Sequence, residues 1–565
     1  MVLNKALLVS VLAWIGCLYS HFTALPQQLV LVLWLLMIAA MIMSFSGAFH
    51  RSAETISWSR RELVLLGVAL LLGLGLRLVS LTQFPLILHN DEMSCGIEAK
   101  LFLNHPWPQL FSPGWYGHPK IGFLLTAWPM MIFDDRLFGL RFSSVFLGML
   151  SLLGTFLCCR RAFGSSTAIV AVFLMAVYHW HIHYSRTGFH YMQAACMVVW
   201  SSYFFISGVQ RLSLRSIAAS GAIGGLGLLV YSASQLTPVL VGSWLVLELF
   251  SKNYSARNLF RFGAIWFGVC LFVYSPFLID QVLNFDQFNN RASAVLIFAP
   301  QNFDHVSSVA GSTNWIAIIS YQILRSLEFF VTASDTAAQY GSEIPLVDMF
   351  LLLPFLVGLV TLLIKGRNAT VRYFAMWLML AVLFGSILTL DPPFSPHWVV
   401  VLPLVPIIQA VGTVRIFRWI KKLRFPSWGC VVILSALVAS SVFQCWTYYL
   451  IRLNSAGDEP VPRRDWVLRD IRNKPEVKSV VSFFDSPDDV RHEAYQFLRP
   501  DVEAYALPPT EFPKLLSLVK HGTVVGIAPI EMQQELDSLD LHSSSAVFRD
   551  KWSGEQFVLF RINQG

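Results

Sequence analysis

The sequence predicts an α-helical protein that crosses a membrane many times and ends in a small α/β domain. Of its 565 residues, 55% are hydrophobic and only 13% are charged, whereas about a quarter of the residues of a soluble globular domain are charged. Apolar runs long enough to cross a bilayer, about 20 residues each, recur through residues 5–450. Beyond residue 455 the pattern changes to short apolar strands that alternate with helical segments.

Hydropathy predicts about 13 membrane spans. They lie near residues 5–20, 28–47, 63–81, 138–159, 166–184, 190–208, 216–231, 236–250, 261–279, 346–364, 373–390, 397–414 and 429–450. The first two are interpreted as retained helices, because no convincing small-residue cleavage site separates them. The apolar segment 121–133 is too short to span, so it is predicted to lie in the outer interface.

Basic residues collect in alternate loops, such as Arg160 with Arg161 and Lys421 with Lys422. The positive-inside rule places these loops in the cytoplasm. Residues 1–62 are then two N-terminal spans and a cytoplasmic loop, and 63–450 is a transmembrane domain with external loops 82–137 and 280–345. Residues 451–565 form an extracytoplasmic domain. The sequence thus predicts a multi-pass plasma (inner) membrane protein whose polar site is on the periplasmic or extracellular face.

The C-terminal domain is predicted to follow a polar linker, "SAGDEPVPRRD". Candidate strands are "VKSVVSFF" and "GTVVGIA", and candidate helices are "EFPKLLSLVK" and "IEMQQELDSL". A hairpin pattern, "AVFRDKWSGEQFVLFRI", follows. Strands that alternate with helices favour a small α/β fold.

Composition also argues against several functions. The net charge of +7 comes from bases at helix ends and does not indicate nucleic-acid binding. The eight cysteines have no CxxC spacing, so neither a disulfide framework nor a zinc site is predicted. The spans are nearly free of charge and show no broken-helix pattern, which is unlike an inverted-repeat transporter.

Two adjacent carboxylates, Asp91 and Glu92, stand in "LILHNDEMSCGIEAK" directly after a predicted span. One interpretation is a solvated turn. The other is a catalytic pair, in which one carboxylate takes a proton from an acceptor hydroxyl and the other orients a substrate. If the loop is extended, successive side chains point to opposite sides, so Asp91 would face the acceptor and Glu92 the donor head group or the loop backbone.

Histidines are concentrated in "YHWHIHYSR", where His179 and His183 are four residues apart. Two histidines at that spacing can bind zinc, but a site needs a third ligand, and the sequence offers none nearby. The tyrosines and the tryptophan between them favour an aromatic belt at the membrane interface.

The acidic pair is followed in order by "WYGHPKIGFLLTAW", by "LFGLRFSSVFLGMLSLLGTFLCCRRAFG" and by "AVYHWHIHYSRTGFHY". Together these motifs resemble the GT-C superfamily of membrane glycosyltransferases that use polyprenyl-phosphate sugars. Bacterial protein-O-mannosyltransferases and lipid A aminoarabinose transferases are the most similar types. The resemblance covers roughly residues 63–415. Gln235, His190 and His397 stand where such relatives often have arginine, and "GHPK" lacks their second proline.

The resemblance implies an inverting glycosyltransferase of the cell envelope. It would move a hexosyl or pentosyl group from a polyprenyl-phosphate donor to a hydroxyl of a lipid, glycan or protein acceptor, with Asp91 and Glu92 as catalytic residues. The implied donor-phosphate ligands are His118, Lys120, Arg186, Arg291 and His397. For Lys120 and Arg186 the alternative is snorkelling at the interface. Relatives differ in their need for a divalent metal, and no metal ligand is assigned.

Two other functions stay open on the sequence alone. One is a transporter or flippase of lipid-linked sugars, which would need a central polar pathway. The other is a non-catalytic membrane scaffold whose C-terminal domain binds a partner and whose acidic loop is incidental.

Overall fold

The structure is a computed structural model. It describes residues 5–45, 57–85, 87–251, 253–283, 294–332, 335–337, 340, 344–422, 426–447, 462–484, 489, 492–520, 522–539, 543–550 and 554–563. The predicted phosphate ligand Arg291 and the linker up to residue 461 lie outside the described residues.

Helices dominate the chain from the N-terminus to residue 446. They are numbered here in chain order: α1 Lys5–Tyr19, α2 Gln27–Ser44, α3 Arg60–Leu78, α4 Asn90–Lys100, α5 Lys120–Met130, α6 Arg136–Phe163, α7 Ser165–Val177, α8 His179–Ser185, α9 Tyr191–Arg211, α10 Leu214–Leu228, α11 Leu236–Ser251, α12 Ala256–Leu283, α13 Phe303–Ala310, α14 Trp315–Glu328, α15 Leu352–Ile364, α16 Ala369–Val382, α17 Leu404–Lys422 and α18 Ser427–Trp446.

Six helices among the described residues are long and apolar enough to cross a membrane, and the number is eight if two bent pairs each count as one span. The bent pairs are α7 with α8, at 60°, and a 3₁₀ segment Ser395–Val401 with α17, at 50°. Four shorter apolar helices add to the bundle. The protein is therefore a polytopic helical protein, and the count of 13 spans stays a prediction. Helix α5 has 11 residues, about 16 Å, so it is too short to span, as predicted.

The C-terminal domain, defined here as residues 462–563, contains a five-stranded sheet in the order β2-β1-β3-β5-β4. The strands are β1 Val477–Ser482, β2 Glu503–Ala506, β3 Thr523–Pro529, β4 Ser543–Arg549 and β5 Gln556–Ile562. Strand β1 pairs in parallel with β2 and β3, and β5 pairs antiparallel with β3 and β4. The helices are α19 Arg463–Ile471, α20 Glu493–Leu498, α21 Pro513–Val519 and α22 Gln533–Asp537. The predicted strands and hairpin lie in this sheet.

The C-terminal domain docks on the loop that carries the acidic pair. Lys100 at the end of α4 donates to the carbonyls of Gln496 and Phe497, at 3.2 and 3.0 Å. Gly96 lies so close to the Phe497 ring that a Cβ there would be 2.6 Å from it. Because β-carbons do not approach atoms that closely, a larger residue at position 96 would force the Phe497 ring to shift.

Candidate active site

Asp91 and Glu92 lie in the first turn of α4, which begins at Asn90. His89 caps the helix, and its Nδ1 accepts from the Asp91 amide at 3.1 Å. The prediction of divided side-chain directions assumed an extended loop, and that premise is wrong because the segment is helical. The two side chains nevertheless point in different directions, because successive residues of a helix are separated by about 100° around its axis. The Asp91 side chain is 28% exposed, whereas that of Glu92 is 1% exposed.

Glu92 is bound on every side by protein. Arg141 of α6 donates to both of its oxygens, from Nε to Oε1 at 2.8 Å and from Nη2 to Oε2 at 3.1 Å. Gly188 donates its amide to Oε1 at 2.7 Å. A buried carboxylate with a bidentate guanidinium is strongly held. The hydrogen bonds therefore fix the position of Glu92 beside Asp91.

Further contacts of Arg141 and Gly188 hold the ion pair between Arg141 and Glu92 in place. Arg141 also donates to the carbonyls of Leu81 and Pro85, at 3.0 and 3.2 Å, so it ties the chain before α4 to α6. Gly188 packs against Leu140, whose Cγ would be 2.4 Å from a Cβ at that position. A larger residue would push the amide away from Glu92.

Arg186, a predicted phosphate ligand, is directed at main chain. Its Nη1 donates to the carbonyls of Leu76 and Arg77, both at 3.0 Å. Its Nη2 donates to those of Val79, Ser80 and Phe84. The first four of these carbonyls belong to the last turn of α3 and the two residues after it, where backbone acceptors lack helical partners, and Phe84 follows further along the chain. The buried guanidinium thus caps α3 and does not snorkel, and a role of Arg186 in binding the donor phosphate stays a prediction.

The histidine-rich run "YHWHIHYSR" forms the short helix α8, and all seven of its residues are buried. Arg77 Nη2 donates to His181 Nδ1 at 2.8 Å, and the His183 ring stacks on Tyr340 with centroids 3.6 Å apart. The predicted interfacial belt is therefore wrong in its placement. The run is packed inside the protein and links α3 to Tyr340 and Pro345.

An aromatic wall extends from Asp91 towards the "GHPK" motif. The ring of His89, which accepts from the Asp91 amide, lies 5.6 Å from that of Phe189. The Tyr191 ring lies 4.7 Å from that of Phe189 and 5.0 Å from that of Tyr231. The Tyr231 ring lies 5.7 Å from that of His118. The aromatic wall thus connects Asp91 with His118, although the two residues are 27 positions apart in the sequence.

His118 precedes α5 and contacts His190 as well, at 5.7 Å between ring centroids. Lys120 begins α5 and acts electrostatically on Glu98. Burial raises the pKa of Glu98, against the Lys120 charge. Glu98 is seven residues after Asp91, so both lie on one side of α4. This side of the site combines an imidazole, an ammonium group and a second carboxylate.

His397 lies in the 3₁₀ segment Ser395–Val401, where its Nδ1 is 3.3 Å from the Thr389 hydroxyl. Its neighbour Ser395 is held by Asp335, with the hydroxyl 2.5 Å from Oδ2, and contacts the Tyr184 hydroxyl. These bonds join Asp335 to α8 and to the predicted motif "SPHWV".

Among the residues that the structure describes, no three His, Cys, Asp or Glu side chains are grouped so as to hold a metal ion.

Sequence reasoning missed the buried arginine Arg77 and the aromatic wall. Arg77 stands within an apolar run, and a charge in such a run is itself a signal of function or structure. The wall joins α9 to the segment after α10, which is a tertiary relation that spacing does not reveal.

The sequence of residues 117–279 matches a family described as dolichyl-phosphate-mannose-protein mannosyltransferase. The archaeal oligosaccharyltransferase AglB from Archaeoglobus fulgidus, in complex with an inhibitory peptide and a dolichol-phosphate, has a similar structure. Its TM-score is 0.51 at 14% identity, over 84% of this chain and 70% of that one. ArnT from Cupriavidus metallidurans, bound to undecaprenyl phosphate, gives 0.50 at 16% identity, over 88% and 97%.

The chain has the GT-C fold. The apo structure of ArnT agrees, with a TM-score of 0.51 at 15% identity. No curated protein matches the sequence. The resemblance read from the motifs is therefore confirmed for the fold.

Proposed function

We propose that this protein is an inverting glycosyltransferase that moves a sugar from a polyprenyl-phosphate donor to a hydroxyl acceptor at the external membrane face. The observation that carries the proposal is the placement of Asp91. It is partly exposed at the start of α4, next to a carboxylate that is fully paired with Arg141. The fold and the polyprenyl-phosphate ligands of the similar structures support the donor class.

In the reaction, Asp91 accepts the proton of the acceptor hydroxyl as its oxygen attacks the anomeric carbon. The bond between that carbon and the phosphate oxygen breaks, and polyprenyl phosphate leaves with the electron pair. Inversion follows from attack on the face opposite the leaving group. Glu92 does not exchange protons in this scheme, because Arg141 and Gly188 occupy its oxygens.

The leaving phosphate needs cationic or hydrogen-bonding partners. His118 and Lys120 are proposed for this role because both begin the α5 region at the end of the aromatic wall. His397 is kept as a third ligand, and Arg291 is retained from its motif alone. Arg186 is proposed to act indirectly, through the end of α3 that it caps.

The near absence of charge in the predicted spans favours this function over a transporter. The partial exposure of Asp91 next to the paired Glu92 favours it over a scaffold. The proposed acceptor is a hydroxyl of a lipid, glycan or protein, and the proposed sugar is a hexose or pentose.

The experiment is mass spectrometry of glycolipids and glycoproteins from cells that contain the protein, lack it, or carry Asp91→Asn. We expect one sugar-bearing species to be present only with the wild-type chain. Purified protein should release polyprenyl phosphate as that species forms. Normal product in Asp91→Asn cells would contradict the proposal, and so would movement of the lipid-linked sugar across vesicles without transfer.

A further inference from the structure

Helices α6 and α9 lie side by side and run in the same direction. The Ser144 hydroxyl, in the first half of α6, donates to the Phe189 carbonyl just before α9, at 3.3 Å. Further along both helices, the Trp200 indole N–H donates to the Leu150 carbonyl at 3.0 Å. A Cβ at Gly154 would lie 3.0 Å from the same indole nitrogen. The C-terminal ends of α6 and α9 therefore lie at the same end of the helical bundle.

Each of these helices carries an arginine in its last turn, Arg161 in α6 and Arg211 in α9. Arg161 is eleven residues after Leu150, and Arg211 is eleven residues after Trp200. Eleven residues make about three turns of an α-helix and advance about 16 Å along its axis. The two arginines therefore stand at one level, on the same sides of their helices as the contact between Leu150 and Trp200.

The contacts of both helix ends with α16 agree with this placement. The Phe163 ring of α6 lies 5.0 Å from the Phe374 ring, measured between centroids. The Gln210 side-chain amide of α9 donates to the Thr370 hydroxyl at 3.0 Å. Thr370 and Phe374 are four residues apart, which is about one turn of α16. The ends of α6 and α9 thus meet the same part of a third helix.

The two arginines have no partner within the part of the chain that the structure describes. There, neither Arg161 nor Arg211 forms an ion pair, and the Nε atom of each is buried without a hydrogen-bond partner. Arg160, which is next to Arg161 in the chain, pairs instead with Glu62. Because a buried donor without an acceptor is unfavourable, the two guanidinium groups are suited to an acceptor from outside the chain.

An aromatic surface of α9 lies next to the two arginines. Trp200, Tyr203 and Phe204 are each partly exposed, and the centroids of their rings lie between 5.1 and 6.0 Å apart. Arg211 is seven residues after Phe204, about two turns further along the same side of α9. Both α6 and α9 are long and apolar enough to cross a membrane, so this surface is placed to contact lipid.

We propose that Arg161 and Arg211 bind the phosphate of an anionic membrane phospholipid whose acyl chains lie along the three aromatic rings. Guanidinium groups form charge-assisted, often bidentate hydrogen bonds with phosphate oxygens. The loops after α6 and α9 are predicted to be cytoplasmic, and anionic lipids of that leaflet attract basic segments. A zwitterionic lipid would bring a further cation towards the two arginines. The site does not depend on the proposed glycosyl transfer.

The test is native mass spectrometry of the purified full chain in an uncharged detergent with added phosphatidylglycerol. We expect one bound lipid, and binding weaker by about tenfold for each arginine removed in the double variant Arg161→Gln/Arg211→Gln. The control Lys421→Gln/Lys422→Gln removes the same charge from exposed residues at the end of α17 and should bind like wild type. Phosphatidylcholine should bind about tenfold more weakly, and inorganic phosphate should not displace the bound lipid.

Thermal unfolding of the same samples separates lipid binding from a role in the fold. Without added lipid, the double variant should unfold within about 2 °C of wild type, because no internal partner is lost. Phosphatidylglycerol should stabilise wild type and the lysine control but not the double variant.

Unchanged lipid binding in the double variant would overturn the proposal, and so would an equal loss in the lysine control. Equal affinity for phosphatidylcholine, or displacement of the lipid by inorganic phosphate, would overturn the choice of an anionic phospholipid. A double variant that is destabilised without lipid and is still stabilised by the lipid as much as wild type would show that the arginines only stabilise the ends of their helices.

Discussion

Helix α6 has a buried arginine near each end, and the two ends use it differently. Near its N-terminus Arg141 pairs with Glu92. Near its C-terminus Arg160 pairs with Glu62, donates to the Ser57 carbonyl at 3.0 Å and stacks on Trp58. Both pairs are bidentate and buried. Glu92 differs from Glu62 because Asp91 is its neighbour in the chain, so the interaction that holds the fold at one end of α6 also positions the proposed base at the other.

The largest expected effect comes from removing each arginine. Arg141→Met and Arg160→Met should each lower the free energy of unfolding by about 3–5 kcal/mol, because a buried carboxylate is left unpaired. Only Arg141→Met should also lower transfer per folded molecule. Thermal unfolding and activity, measured on the same detergent samples, check both. Equal activity losses at the two ends would show that the comparison is wrong.

Asp465 is a third buried carboxylate, and it lacks a close guanidinium partner like that of Glu92. It accepts from the Leu88 amide at 3.1 Å, and burial raises its pKa to about 6. The folded protein thus binds a proton more tightly than the unfolded chain does. The stability that Asp465 contributes is full near pH 4 and is lost as the pH rises to about 6.

Asp465→Asn removes that titration. We expect the variant to gain stability relative to wild type between pH 4 and 7, by about 2–3 kcal/mol. The measurement is the difference in unfolding free energy at each pH. A difference that does not change with pH would mean that Asp465 is ionised as easily as an exposed carboxyl.

A substitution at Gly188 tests the third hydrogen bond to Glu92, which the Gly188 amide donates. Gly188→Ala would place a Cβ 2.4 Å from Leu140 Cγ and should cost about 1–3 kcal/mol through overpacking, with a matching loss of turnover. Gly67→Ala in α3 is the control, since a Cβ there meets nothing within 4 Å. Unfolding curves and initial rates distinguish them. Equal stability of the two variants would show that Gly188 tolerates a side chain.

The substitution of His118 is expected to have the smallest effect of this series. His118→Ala should raise the donor KM about tenfold, because one hydrogen bond to a charged phosphate is lost, and kcat should fall less. His105→Ala serves as the comparison, since His105 is exposed and bonds to Gln28. Donor titration at saturating acceptor is the measurement. An unchanged donor KM would remove His118 from the phosphate site.

The sequence predicted the features that depend on local pattern. Spans, basic loops, strands β1 and β3, and the acidic pair could all be read from hydropathy or motif order. The helical start at Asn90 was missed because "LILHNDEMSCGIEAK" has turn residues before it and no helical apolar repeat. Its cap is a histidine, outside the usual N-cap residues.

Tertiary relations were beyond the sequence. Arg186 has the motif position of a phosphate ligand, yet five backbone carbonyls surround its guanidinium. The paired state of Glu92 depends on Arg141, which is 49 residues away. The docking of the C-terminal domain on Gly96 depends on Phe497. No spacing rule connects such residues.

The measurement that tests the central claim most directly is the single-turnover rate of Asp91→Asn at saturating donor and acceptor. A positioned base contributes about 10²–10⁴-fold, so we expect the rate to fall by that factor while the unfolding temperature stays near that of wild type. Asp134→Asn changes an exposed aspartate between α5 and α6 and should keep the full rate. A near-normal rate for Asp91→Asn would contradict the account and leave the acidic pair as a structural helix start.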